Sequence, residues 1–546
     1  MVSEVSEMPV VKMDFIDRTM VLAVFLLVIL FMWNCFHSPP SEDAAISFRY
    51  AKNLAEGYGI VWNPGGKPVD GTTDFLFLPM VSVLVKAGLH PPVAVRLLDL
   101  IAHCLTIFLI YLVVRKQGAS ARWAALVSAS YLGVGPALSY IWDGFATPIF
   151  GLFVGLTWWF ALKLKANGNS QLDCALFGLC GLATGLERPE GVFLAGFMLL
   201  ALIYFQGLQR SRSVILYFIS IMGIGGGTYF LWHWHYFGYP LPNPFYIRGG
   251  GHLFLGGLRV SLKNVVELSG PFALIYLVAF CSHKTAKLAI FSLTPIVGFG
   301  SLWVMLSSEM NHNLRYQYGI LPIVMLSWYP LWTEIHTLFG LPSWEDLKKR
   351  NCAPSLPVVA VLGFCLLLHR GNVWSNEGKH RADSSDDIGM MLGQFKNKHY
   401  TLATSESGLI PLYSEWRTLD TWGLNDSWIA HHGTITKSVL ERENPDVIIF
   451  RCSFSPIVPP YEDPSWDFGR AWLAMVMTLK GYAESKGYSL AGAYGTDPHS
   501  THYVYVRQDF PDSLEITRRL GVLMDDWKKD GGLIVNFADI KNQGSQ

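Results

Sequence analysis

Long apolar segments alternate with short polar ones through roughly the first two thirds of the chain. A helix needs about 20 apolar residues to cross the hydrocarbon core of a bilayer. The first run follows basic residues as a signal peptide would, but Ser38-Pro39-Pro40 is not a small-x-small cleavage site. We therefore predict about eleven membrane-spanning helices, at 19–33, 93–114, 121–140, 147–162, 173–187, 191–207, 213–232, 267–282, 287–307, 317–336 and 355–369.

The pattern changes after about Tyr400, where short apolar runs are separated by turn residues. Such runs are typical of strands, and two longer stretches have helical periodicity. We therefore predict a polytopic α-helical membrane part, residues 1–370, followed by a soluble α/β domain, residues 371–546. In that domain the predicted strands are Thr401–Thr404, Arg417–Leu419, Val447–Phe450, Ala491–Ala493 and Tyr503–Val506, and the predicted helices are Asp467–Lys486 and Asp512–Trp527.

Composition supports this division. Charged residues make up 15% of the 546-residue chain, well below the roughly 25% of soluble proteins. The net charge of zero is the sum of 25 basic and 19 acidic residues in 1–370 and 17 basic and 23 acidic residues in 371–546. This distribution gives no nucleic-acid footprint. The eight cysteines are scattered without metal-like spacing, and a disulfide framework is not indicated.

Lysine and arginine clusters between the apolar runs predict the orientation, because such clusters stay on the cytoplasmic side. The clusters near 115–122, 163–165, 210–212, 284–287 and 348–350 all fall inside if the N-terminus is cytoplasmic and 74–89 lies at the outer interface without crossing. We therefore expect a multi-pass protein of the cytoplasmic (inner) membrane, with the domain after about Gly371 on the periplasmic or outer side.

The densest polar cluster follows the first apolar run on the predicted outer side. Glu42 and Asp43 begin a short amphipathic helix that also carries Arg49 and Asn53. One carboxylate could simply cap this helix, but two adjacent ones suggest a functional site. Further outer clusters carry the remaining candidate site residues, which are Tyr50, Asn63, Trp142, Asp143, Arg188, Glu190, Asn243, Tyr246, Arg248, His312, Arg315 and Tyr316.

These residue types fit the transfer of a sugar from a lipid phosphate. Carboxylates can activate an acceptor hydroxyl or stabilise a cationic sugar transition state, and arginine forks bind phosphate. Glu42 and Asp43 are the catalytic candidates, and Arg188, Arg248, Arg315 and His312 are the phosphate candidates. The other candidates would bind sugar or acceptor. For each arginine, extension to the lipid headgroups is the alternative, and 187–190 could be a self-contained ion pair.

The run from Glu42 to Gly65 resembles the first-loop signature of GT-C fold glycosyltransferases that use polyprenyl-phosphate sugars. It is most similar to the mycobacterial terminal arabinofuranosyltransferases and their bacterial relatives, whose first loop usually has Asp-Asp where this chain has Glu42-Asp43. Later landmarks are Arg188-Pro189-Glu190-Gly191, Leu241-Pro242-Asn243, Arg315-Tyr316 and the run 420–426. The Gly-Leu-Glu-Thr usual in the second outer loop is Gly144-Phe145-Ala146-Thr147 here, so the family glutamate is absent and Asp143 could replace it.

The resemblance implies a donor such as polyprenyl-phosphate arabinofuranose and an acidic catalytic residue at Glu42 or Asp43. Mannose is an alternative sugar, and the acceptor could be arabinan, another polysaccharide or a glycosylated pilin. A divalent cation is compatible with the family, but no ligand spacing in this chain indicates one, so no cofactor is predicted. The alternatives from other classes are a lipid-linked-sugar transporter and a glycan-binding anchor. The inverting or retaining outcome stays open.

Overall fold

The computed structural model of the chain describes residues 40–133, 139–168, 170–249, 253–270, 272–306, 311, 314–340, 384–452, 467–497 and 500–529, together with scattered positions between 15 and 29. The predicted boundary between the two parts, at 370/371, lies outside these ranges.

The regular secondary structure of the membrane part is helical in its described residues, apart from one isolated bridge between Val61 and Pro68. Its helices are α1 Glu42–Ala55, α2 Phe77–Lys86, α3 Pro91–Lys116, α4 Ala121–Gly133, α5 Ser139–Asp143, α6 Thr147–Asn167, α7 Gln171–Glu187, α8 Gly191–Gln206, α9 Arg212–Phe237 with a π-helical turn at Met222–Gly226, α10 Asn243–Gly249, α11 Leu255–Ser269, α12 Phe272–Ala279, α13 His283–Ser301 and α14 Leu321–Leu338.

Fewer helices than predicted are long and apolar enough to span a membrane. Within the described residues, α3, α6, α9 and α13 meet that test by length and composition, and α11 with α12 would make a fifth. That pair is bent by 100° near Gly270, whose φ of +48° lies in the left-handed region, so the predicted span 267–282 is not one continuous helix. The predicted spans 19–33 and 355–369 lie outside the continuously described residues, so the count of eleven is not confirmed.

Several of the predicted spans correspond to apolar helices that are too short to cross a membrane. Helix α8 has 16 residues and so rises about 24 Å, less than the roughly 30 Å of a hydrocarbon core. Helix α2 has only 10 residues, which matches the expectation that 74–89 does not cross. The apolar pattern therefore located the helices well, but it did not reveal which of them reach across a bilayer.

The C-terminal domain is built on a five-stranded mixed sheet. Its strands are β1 Thr401–Thr404, β2 Arg417–Asp420, β3 Val447–Cys452, β4 Ser489–Asp497 and β5 Ser500–Val506. They lie in the order β2-β1-β3-β5-β4, with β1 parallel to β2 and β3 and the other pairs antiparallel. All five predicted strands are present. The helices are α15 Ser385–Gly393, α16 Leu409–Ser414, α17 Ser427–His432, α18 Lys437–Glu443, α19 Asp467–Ser485 and α20 Ser513–Lys529.

Helices cover both faces of this sheet. Along β3, Val447 and Ile449 join the core formed with α15 and α20, while Ile448 and Phe450 join the core formed with α18 and α19. The alternation follows from the two-residue period of a strand. The described part of the domain is thus a three-layer α/β/α unit.

The C-terminal domain meets the membrane part through α16. Leu409 and Leu412 on this short helix belong to the core of the membrane part, whereas Ile410 belongs to the core of the C-terminal domain. One six-residue helix therefore contributes to both hydrophobic cores.

Arg49 of α1 is buried at this junction. Its guanidinium donates to the carbonyl oxygens of Trp62, Pro411 and Trp416 and to Oδ1 of Asn63. It also lies over the Trp62 ring, 4.6 Å from the centroid. Arg49 therefore joins α1, the loop after it and the C-terminal domain.

Replacing Arg49 with lysine is expected to lower the free energy of unfolding by about 3 kcal/mol, because one ammonium cannot satisfy four acceptors and a buried unpaired acceptor costs 1–3 kcal/mol. The measurement is the unfolding of the full chain in detergent micelles. Arg417→Lys is the control, since Arg417 is exposed and its pair with Glu443 lies at the surface. Equal losses in the two variants would contradict the role given to Arg49.

Candidate active site

A cavity lies beside the N-terminal turn of α1, where several segments of the membrane part meet one loop of the C-terminal domain. Besides the first turns of α1, it is lined by residues 71–74, 144–147, Arg188, Pro244 and 315–316 of the membrane part and by Leu424 of the C-terminal domain. Its polar and aromatic lining residues are Asp43, Ser47, Thr72, Thr73, Asp74, Phe145, Thr147, Arg188, Arg315 and Tyr316.

An ion pair between Asp43 and Arg315 lies in this cavity. Nη2 of Arg315 donates to Oδ2 of Asp43 at 3.0 Å, and the two side chains are 9% and 27% exposed, respectively. The guanidinium also lies over the Phe145 ring, 4.0 Å from its centroid. Asp43 is therefore the more accessible partner, and Arg315 is held on two sides.

The segment that carries Arg315 is fixed by an amide network. Oε1 of Gln317 accepts hydrogen bonds from Asn264 and Asn311, at 3.2 and 2.7 Å, and its Nε2 donates to Ser261 at 3.0 Å. The backbone N–H of Tyr316 donates to Oδ1 of Asn311. These contacts hold Arg315 and Tyr316 against helix α11, which fixes the direction of the Arg315 side chain.

Arg188 is the second guanidinium of the cavity. Its Nη2 lies 2.7 Å from Oε1 of Glu190, and both side chains are about nine-tenths buried. Nη1 donates to the carbonyl oxygen of Arg315 at 3.4 Å. The sequence predicted both a phosphate role and a local ion pair for this region, and the structure contains the ion pair, with Arg188 lining the cavity and Glu190 behind it.

Asp74, Thr72 and Thr73 face the same cavity and were not predicted as site residues. Burial raises the pKa of the Asp74 carboxyl, and the guanidinium groups of Arg188 and Arg315 oppose that rise. The only indication in the sequence was the short polar run from Asp70 to Asp74, which does not reveal which way its side chains point.

The structure brings four predicted residues together at the cavity: Asp43, Arg188, Arg315 and Tyr316, with Glu190 paired behind them. Glu42, which was a catalytic candidate, instead accepts hydrogen bonds from the backbone N–H groups of Gly408 and Leu409, at 2.5 and 2.8 Å. Its carboxylate is therefore directed towards the C-terminal domain.

The predicted sugar-binding residues of the first loop lie at the domain junction. Nδ2 of Asn53 donates to the carbonyl oxygens of Val61 and Trp62. Asn63 exchanges two hydrogen bonds with the backbone of Thr418, each 2.9 Å long. With Arg49 and the buried Tyr50, these residues fix the loop and are absent from the cavity lining.

The other candidates whose side chains the structure describes do not line the cavity. Trp142 and Asp143 are buried, and the Asp143 carbonyl accepts from the backbone N–H of Ser41. Asn243 donates to the Leu424 carbonyl, and Tyr246 packs on His431 with the two ring centroids 4.2 Å apart. His312 and the side chain of Arg248 lie outside the described residues. Among the side chains that the structure describes, no group of three or more histidines, cysteines or carboxylates is arranged to hold a metal ion.

Comparisons with known proteins define the fold. The structure resembles ArnT from Cupriavidus metallidurans in the apo state, with a TM-score of 0.58, 13% identity and coverage of 89% of this chain and 98% of that one. The comparison with ArnT bound to undecaprenyl phosphate has a TM-score of 0.56 and 14% identity, and it covers 89% of this chain and 97% of that one. A third similar structure is the oligosaccharyltransferase AglB from Archaeoglobus fulgidus in complex with an inhibitory peptide and a dolichol-phosphate. Its TM-score is 0.50 with 11% identity, and the comparison covers 91% of this chain and 75% of that one. ArnT and AglB are GT-C glycosyltransferases, and this chain has the GT-C fold.

Two sequence matches add detail. A terminal β-(1→2)-arabinofuranosyltransferase of Mycobacterium tuberculosis is 24% identical over 207 residues, which are 36% of this chain and 33% of that protein. The match thus spans about a third of the length of that relative. Residues 372–507 match a domain of unknown function, DUF8728.

Proposed function

We propose that this protein is a membrane glycosyltransferase that moves a sugar from a polyprenyl phosphate to a hydroxyl group of an acceptor. The observation that carries the proposal is the Asp43–Arg315 pair beside Arg188, in one cavity of a GT-C fold. ArnT and AglB, which share this fold, have been solved with undecaprenyl phosphate and dolichol-phosphate. A lipid phosphate is therefore the donor type that fits best.

The two guanidinium groups would hold the donor phosphate, because arginine forks bind phosphate oxygens in pairs. A phosphate that arrives at Arg315 competes with Asp43 for the same donors. That competition frees a carboxylate oxygen of Asp43 next to the sugar.

Asp43 would then act on the acceptor hydroxyl. The bond between the sugar's anomeric carbon and the phosphate oxygen breaks, and its electron pair leaves with the phosphate. The acceptor oxygen forms the new bond to that carbon and gives its proton to the Asp43 carboxylate. Arg188 and Arg315 would stabilise the charge that develops on the departing phosphate.

We propose arabinofuranose as the sugar, on the basis of the first-loop run 42–65 and the mycobacterial relative. The acceptor would be an extracytoplasmic glycan or glycoprotein.

Purified full-length protein is expected to release decaprenyl phosphate from decaprenyl-phosphoryl arabinofuranose when a synthetic arabinofuranoside acceptor is present. Decaprenyl-phosphoryl mannose, which has the same lipid phosphate but another sugar, is the control donor. Faster release from the mannosyl lipid would overturn the choice of sugar, and movement of either lipid across a bilayer without release would indicate a transporter.

Asp43→Asn is expected to lower kcat for this transfer by at least about 100-fold, since the amide cannot accept the hydroxyl proton and general-base contributions are 10²–10⁴-fold. The unfolding midpoint should stay close to that of the unchanged protein because asparagine still accepts a hydrogen bond from Arg315. Asp525→Asn, on an exposed residue of α20, is the control. Full activity of Asp43→Asn would exclude Asp43 as the base.

We also propose that the cavity and the C-terminal domain face the periplasmic or outer side of the cytoplasmic membrane. In a background without other cysteines, the exposed Cys281 between α12 and α13 should react with a membrane-impermeant maleimide only from the cytoplasmic side. A cysteine placed at Ser438 on α18 should react only from the outer side. Right-side-out and inverted vesicles separate the two, and labelling of both cysteines from one side would contradict this orientation.

A further inference from the structure

The two neighbouring carboxylates at the start of α1 point to different parts of the molecule. Successive residues of a helix are about 100° apart around its axis, so two adjacent side chains can point to different surroundings. Asp43 faces the cavity, while Glu42 faces the loop that leads from β1 into α16. The pair that looked like one catalytic unit in the sequence is thus divided between two surroundings.

The contact of Glu42 with the C-terminal domain is closely fitted. Both carboxylate oxygens are used, one by the N–H group of Gly408 and the other by that of Leu409. A side chain at position 408 would overlap the backbone oxygen of Glu42 and would come within 2.9 Å of its carboxyl carbon. Only glycine allows α16 to approach this closely.

The first turn of α1 is held by the contacts of Ser41 and Glu42 and by the burial of Ala44 and Ala45 in the core. The N–H groups of a first helical turn lack partners within the helix, and no side-chain hydrogen bond from Ser41 caps this one. The backbone N–H of Ser41 is fixed by the Asp143 carbonyl. The position of the Asp43 backbone therefore depends strongly on the contacts of its two neighbours, Ser41 and Glu42.

We infer that Glu42 is a positioning residue, through which the C-terminal domain sets the position of Asp43 in the cavity. The inference rests on the proposed function. It also implies that the C-terminal domain is required for fast transfer even if that domain binds no substrate.

Glu42→Gln tests the inference in the full-length protein, with decaprenyl-phosphoryl arabinofuranose and the synthetic acceptor. Glutamine keeps the size but presents an NH₂ group to one of the two N–H donors, so the first turn should shift. Because a displacement of about 1 Å at a reacting group can cost 100-fold, we expect kcat to fall about 10- to 100-fold. The KM for the donor should change less than about twofold, since Arg188 and Arg315 are untouched.

Trp62→Phe is the matched control for loss of stability. It removes the hydrogen bond from the indole N–H to the Thr418 carbonyl at the same domain junction, but it does not touch the first turn of α1. We expect a lowered unfolding midpoint and an unchanged kcat. Gly408→Ala attacks the contact from the other partner and should lower kcat as Glu42→Gln does. The double variant should lose little more than the larger single loss, because both changes break one contact.

Three results would overturn the inference. Wild-type kcat in Glu42→Gln, with a midpoint lowered as in Trp62→Phe, would show a purely structural contact. A loss equal to that of Asp43→Asn with an unchanged midpoint would make Glu42 itself catalytic. Additive losses of kcat in the double variant would show that Glu42 and Gly408 act independently and not through one contact.

If Gly408→Ala does not fold, Glu42→Asp replaces it. Aspartate keeps the charge but is one methylene shorter, so the kcat of this variant should lie between those of the wild type and Glu42→Gln. If the unchanged protein releases no decaprenyl phosphate, the proposed function fails instead.

Discussion

A charge taken out of water must find a partner, and this constraint organises the end of the membrane part that meets the C-terminal domain. Arg315 is paired with Asp43, Arg188 with Glu190, and the guanidinium of Arg49 is surrounded by oxygen acceptors. Each arginine is thereby held in one direction before any ligand arrives. In the proposed reaction the donor phosphate takes over partners that carboxylates hold in the free protein, so binding the donor and freeing Asp43 are one event.

The same constraint explains why the C-terminal domain is needed to pair buried charges of the membrane part. Carbonyl groups of Pro411 and Trp416 complete the shell of Arg49, and N–H groups of Gly408 and Leu409 satisfy Glu42. Asp420 accepts four hydrogen bonds from residues 422–425, which shapes the loop that places Leu424 at the cavity. Because burial raises the pKa of Asp420, these donors are what oppose its protonation. The region that matches a domain of unknown function thus contacts and holds α1 and the loop after it.

Much of this could be read from the sequence, because local patterns are tied to local structure. The five strands and two long helices of the C-terminal domain follow from short apolar runs and helical periodicity. The sequence also pointed to Asp43, Arg188 and Arg315, since charged residues beside apolar spans are rare enough to stand out. It could not show that Asp43 and Arg315, 272 positions apart, form a pair.

The directions in which side chains point could not be predicted from the sequence. Arg49, Asn53 and Asn63 are polar residues next to the site in sequence, yet their acceptors are backbone oxygens that no sequence pattern records. Asp74 was missed for the complementary reason, because its place in the cavity depends on how the loop before α2 folds over the first turn of α1. Hydropathy also does not report where a helix bends or ends, as the bend near Gly270 shows, so the predicted number of spans is not confirmed.

The most direct test of the central claim is an experimental structure of the full-length protein with undecaprenyl phosphate bound. The account predicts the phosphate in the cavity beside α1, within hydrogen-bonding distance of Arg315 and Arg188, with Arg315 turned from Asp43 towards the phosphate. A phosphate bound elsewhere, with the Asp43–Arg315 pair intact at 3.0 Å, would contradict it.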